Sequence, residues 1–162
     1  NQSRKSIWLC KFTIVAVFML AAIFLQGIII VAYGRSAGIV QALPVKTLIE
    51  FLLGTTMITF VIVTIQVFFS LICSNQLIPM SIGMIGALIG FISALLPAGI
   101  RNILIWGNYA ELMVLGQDTS SGDLQSSALV VHTINFTPLV ILFVAGIIVF
   151  VLFQKKFEKS ES

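Results

Sequence analysis

Six carboxylates, one histidine and two cysteines carry most of the chemistry open to this chain. Their spacing assembles no catalytic grouping. The acids Glu50, Glu111, Asp118, Asp123, Glu158 and Glu161 are scattered rather than paired. His132 has no Cys, Asp or Glu cluster beside it at metal-ligand spacing. The sequence holds no G-x-x-x-x-G-K-[ST] phosphate loop, no G-x-S-x-G turn, no H-E-x-x-H and no C-x-x-C. No catalytic, cofactor-binding or metal-binding residue is therefore assigned, and the chain is read as a non-enzyme. The residues left to explain are polar and aromatic side chains set within long apolar runs.

Those runs define the elements. The 162 residues are 59% hydrophobic and 9% charged, where a soluble domain carries about 25% charge. The mean hydropathy is +1.11. So few charges cannot cover a water-facing surface, so most of the surface must meet lipid. The net charge of +3 does not point to nucleic acid, because the cations stand at the ends of apolar runs. The fold class expected is an all-α membrane protein: a polytopic bundle of four transmembrane helices and a short interfacial helix. One domain covers 1–162, with spans near 12–33, 49–72, 77–100 and 136–153 and the interfacial helix near 101–115. The first run is too long for the apolar core of a secretory signal, about 7–15 residues, and no A-x-A-like site closes it.

Within the spans the polar residues are few. Gln26 is the strongly polar side chain of the first, and an amide in lipid prefers a partner helix. Thr55, Thr59 and Gln66 share one face of the second, as a packing seam or as the lining of a polar pathway. Glu50 stands at that span's entrance, four residues after Lys46, at ion-pair spacing. The third span carries Gly86 and Gly90, a G-x-x-x-G pair that permits close helix approach. Gln26, Gln66, Gly86 and Gly90 are thus candidates for helix packing. Pro97 and Gly99 bend or end the third helix. Residues 101–115 are too short to cross as a helix, and Trp106 and Tyr109 suit a membrane surface. A polar loop, 116–127, and a lead-in holding His132 precede the last span.

Four spans put both ends on one side. That side carries Arg4, Lys5, Lys11, Lys155, Lys156 and Lys159, against Arg35, Lys46 and Arg101 opposite. The positive-inside rule places both ends in the cytoplasm of a multi-pass protein of the cell membrane. Cys10 and Cys73 then fall near the reducing face as free thiols.

The order is a basic Arg4-Lys5-Ser6-Ile7-Trp8 to Lys11 entry, three spans, a segment with Trp106-Gly107-Asn108-Tyr109, a polar loop, and a final span ending in Lys155-Lys156-Phe157-Glu158. It resembles the carboxyl-terminal part of ABC-2 type transporter permeases, in particular those of lantibiotic-immunity and bacitracin-type exporters. The resemblance implies two further spans before Asn1. It implies a second permease subunit, alike or different, and separate ATP-binding subunits that hydrolyse the ATP. It implies a coupling segment at Arg4, Lys5, Trp8 and Lys11, and export of a cationic antimicrobial peptide. Trp106, Tyr109, Glu111, Asp118 and Asp123 are the candidates for extracellular contact with that peptide, the acids by charge attraction. The competing expectation is a small membrane carrier or assembly protein without an ATPase. A membrane enzyme stands behind both, because the span interiors hold no charged group.

Overall fold

Where no water can satisfy the backbone, a helix is the local solution that pairs every N–H and C=O within one segment. Runs of Ile, Leu, Val, Phe and Ala supply it here. The computed structural model describes residues 4–38, 45–113, 115–117, 129–131 and 134–159. Its helices are α1 (Arg4–Ser36), α2 (Val45–Ile72), α3 (Leu77–Ser93), α4 (Ala98–Arg101, a single turn) and α5 (Phe136–Lys159). A 3-10 helix covers Trp106–Leu112. Two short strands, β1 (Leu115–Gln117) and β2 (Leu129–Val131), pair antiparallel, with Gly116 opposite Val130.

Three helices are long and apolar enough to cross a membrane: Ser6–Ser36, Val45–Ile72 and Phe136–Lys156. The chain is therefore a helical, multi-pass membrane protein. A fourth helix of that length, expected over 77–100, is not present. α3 has 17 residues, roughly 25 Å at 1.5 Å per residue, and falls short of a hydrocarbon core of about 30 Å. The cause is Pro97. Its missing N–H would have bonded the Ser93 carbonyl in a continuing helix, and its ring would clash there. Instead Leu96 N–H bonds Ser93 O at 3.0 Å, and the chain turns. The helix expected over 101–115 is likewise broken into the end of α4, a turn, the 3-10 helix and β1.

α2 is the centre of the bundle. Gly54 and Gly146 let Leu139 and Val61 approach closely, and the Phe68 and Phe153 rings stack at 3.6 Å. These pairs advance together along both helices, so α2 and α5 run parallel. α1 runs against them, with Gly27 beside Leu52 near one end and Trp8 beside Val67 near the other. The start of α1, the end of α5 and the Cys73 turn therefore share one end of the bundle. Trp8 is fully buried there among Phe12, Phe150 and Phe153. The outer faces stay apolar and open, with Phe91 84% and Leu95 87% exposed. That suits lipid as the surrounding solvent.

Candidate functional site

The four residues Trp106-Gly107-Asn108-Tyr109 each meet a different neighbour, and together they fasten the 3-10 helix to α3 and α2. Trp106 lies in the bay that Gly86 and Gly90 leave on α3. A Cβ on Gly86 would overlap the indole, and one on Gly90 would stand 3.1 Å from both the Trp106 Cβ and its carbonyl oxygen. The glycine pair thus receives a side chain of the same polypeptide. Gly107 passes between α4 and α3: a Cβ there would meet the Arg101 carbonyl at 2.5 Å and Ser93 Oγ at 3.2 Å. Asn108 is fully buried. Its Nδ2 donates to the Leu104 carbonyl at 2.8 Å, which closes the turn between α4 and the 3-10 helix. Its Oδ1 has no partner among the described residues. Tyr109 bonds Thr59 through the two hydroxyls at 2.9 Å.

Thr59 sits at the middle of α2. The 3-10 helix is therefore at mid-height in the bundle, packed on protein, rather than set apart at one end. Leu112 at its far end fills the space above Gly54 and beside Ile58 and Leu139. An ion pair spans the same reversal. Arg101 Nη2 donates to Glu111 Oε1, with the two side chains 20% and 11% exposed. Ser93 Oγ turns back to the Gly90 carbonyl at 2.6 Å. Several polar groups of the irregular segment find partners within the chain, as backbone away from water requires, with Arg101 Nε and Asn108 Oδ1 the buried atoms there that have none among the described residues.

Beside this unit an open apolar groove of about 590 Å³ runs between α3 and the 3-10 helix. Phe91, Leu95, Trp106, Tyr109 and Met113 are among its walls. It can accept an apolar chain or ring. It holds no nucleophile or general base, and among the described residues no group of His, Cys, Asp or Glu could hold a metal ion.

The remaining sequence candidates are dispersed. Arg4 and Lys5 open α1. Lys11 is exposed at the end of the bundle where α1 starts and α5 ends. Trp8 is in the core at that end, away from the 3-10 unit. Gln26 is exposed on the outer side of α1. Gln66 packs its amide against Gly83, where a Cβ would stand 2.9 Å from Nε2. Thr55, Thr56 and Thr64 donate to carbonyls one turn back on their own helix, so Thr59 is the threonine of that stripe that reaches the 3-10 helix. Glu50 lies 3.8 Å from Lys46. Cys10 and Cys73 are free thiols. Of the five peptide-contact candidates, Trp106, Tyr109 and Glu111 come together and each has an intramolecular partner. Asp118, Asp123 and His132 lie outside the described residues.

Sequence reasoning missed the Arg101–Glu111 pair and the role of Asn108. A ten-residue separation matches no helical period, so the pair carries no local signal. The one usable hint was Asn108 beside a glycine, within an apolar stretch that Pro97 had already interrupted. Comparison with family models, curated proteins and solved structures finds no match to this chain.

Proposed function

We propose that this chain forms part of the membrane domain of a permease that exports a cationic, amphipathic antimicrobial peptide, with ATP hydrolysed by a separate subunit. The observation that carries the reading is the interrupted passage from Leu77 to Leu112. α2 and α5 run parallel, so the intervening chain must travel from one end of the bundle back to the other. In this reading it does so as a fourth, broken crossing: α3, a turn, the 3-10 helix and the way out to β1. Non-helical backbone at membrane depth is tolerated where it is buried in protein or lines a cavity. In transporters, discontinuous helices of this kind stand where substrates bind and bundles rock. The apolar groove of about 590 Å³ beside Trp106 and Tyr109 suits the apolar face of such a peptide. Both chain ends lie in the cytoplasm in this topology, with Arg4, Lys5 and Lys11 beside the ATPase and a second permease subunit alongside.

Co-expression of the full-length protein with a phosphate-loop ATPase encoded beside it tests the reading. The expected result is co-purification and resistance to a lantibiotic or bacitracin, lost when the ATPase is inactivated. A protein that inserts in the membrane and leaves the ATPase unbound would overturn it and favour a carrier without ATP. Asp118→Asn with Asp123→Asn is the apt charge test, because Glu111 already serves Arg101.

A further inference from the structure

At the end of the bundle where α1 starts and α5 ends, a second cleft of about 460 Å³ opens between α1, α2 and α3. We propose that it binds an anionic glycerophospholipid, headgroup at the mouth and the first part of an acyl chain within. α2 forms the floor and α1 and α3 the sides. Lys11, Ser70 and Gln76 supply a cation, a hydroxyl and an amide. Ser70 lies in the last turn of α2, and Gln76 immediately precedes α3, so both stand at the mouth. Ile14, Val15 and Met80 supply apolar wall, and the first two lie farther along α1, toward the middle of the bundle.

Gln66 adds an amide partway down, packed against Gly83, and beyond it the Ile14 and Val15 walls are apolar, so the cleft runs from a polar mouth to an apolar depth in the order of a phospholipid. No carboxylate lies among its lining residues, so the Lys11 charge is left for a ligand. The N-terminus of α3 faces the same mouth, and its dipole adds to the positive potential. Basic pockets between membrane helices select anionic headgroups in this way. The inference does not depend on the permease reading.

Native mass spectrometry of the delipidated full-length protein, titrated with phosphatidylglycerol or phosphatidylcholine, tests it. The expected preference for phosphatidylglycerol is about fivefold, the factor one lysine near an anionic surface contributes. Lys11→Gln, an exposed position, abolishes the preference. Lys46→Gln, a lysine at the other end of the bundle, leaves it intact. Val15→Trp narrows the cleft and lowers binding of both lipids. Equal binding of the two lipids by the unaltered protein overturns the proposal. So does a preference that survives Lys11→Gln, or one that falls equally with Lys46→Gln and so reports net charge alone. Displacement of the lipid by inorganic phosphate would make the site one for phosphate, with no part for the apolar walls, and would also overturn it.

Discussion

Replacing Gly86 by alanine tests the contact on which the broken segment rests. The new Cβ would fall within the indole of Trp106, close to Cε2, Cζ2 and Cδ2 together. Room for a small slide is limited, because Trp106 already packs closely on α3 at Gly90, where an added Cβ would stand 3.1 Å from the Trp106 Cβ and carbonyl oxygen. The ring must leave the bay or α3 must move away. Overpacking of this kind costs about 1–3 kcal/mol, and we expect about 2 kcal/mol, since the indole is rigid. Trp106→Ala alone costs a similar amount by emptying the bay, below the 3–5 kcal/mol typical of a fully buried tryptophan because Trp106 is half-buried. In the double variant the clash has no target, so the combined loss falls short of the sum by about 0.5–3 kcal/mol. Gly34→Ala is the control: nothing lies within 4 Å of its Cβ position. Unfolding in mixed micelles, followed for all four proteins, gives the cycle. Additive losses, or a Gly86→Ala protein within 0.5 kcal/mol of the parent (the scatter of additive sites), would refute the packing argument. They would return the glycine pair to the role of a seam for another helix.

Tyr109→Phe removes the bond to Thr59 and should cost about 0.6 kcal/mol, the mean for side-chain bonds between membrane helices; adding Thr59→Val should then cost little more in the same unfolding assay. Arg101→Gln leaves the Glu111 carboxylate 11% exposed without its cation and should destabilise by up to about 3 kcal/mol, the low end for breaking a buried pair. Arg101→Gln with Glu111→Gln should recover most of that loss, and a double variant as unstable as the single would refute the reasoning. In intact cells, Ser121→Cys in a background lacking Cys10 and Cys73 should react with a membrane-impermeant thiol reagent, and Ser160→Cys should not. The opposite pattern reverses the proposed topology.

The three long helices were legible because each is an apolar run of membrane length, and lipid leaves such a run one backbone solution. Their ends were less so. The basic residues before Phe12 read as an entry segment, yet α1 begins at Arg4, because Trp8 and Phe12 have Phe150 and Phe153 to pack against. Hydropathy continues unbroken through Leu95 and Leu96, so the third run looked like a helix to Ile100. A single proline decided otherwise, through one carbonyl four residues back. The paired strands β1 and β2 lie where a polar loop and its lead-in were read, since three-residue strands carry too little alternation to register. Trp106 and Tyr109 read as surface aromatics because an indole N–H and a phenol suit an interface. What redirects them is long-range: a bay of glycines and a threonine hydroxyl, separated from them in the sequence and brought near only by the reversal.

That reversal also accounts for the distribution of polar groups. Three threonines of α2 are closed on their own helix and tie nothing together. Thr59 with Tyr109, and Arg101 with Glu111, instead bridge parts of the chain that no helical repeat connects. In lipid, apolar contact gives helices little reason to prefer one another, and packing with hydrogen bonds decides. A segment fixed by one indole in a glycine bay, one hydroxyl pair and one ion pair has a few discrete contacts to release before it can move. The groove beside it lies on lipid-facing apolar wall. Parting α3 from the 3-10 helix along the groove would break the Trp106 contact, so the Gly86–Trp106 cycle measures part of what holds the two walls of the groove together.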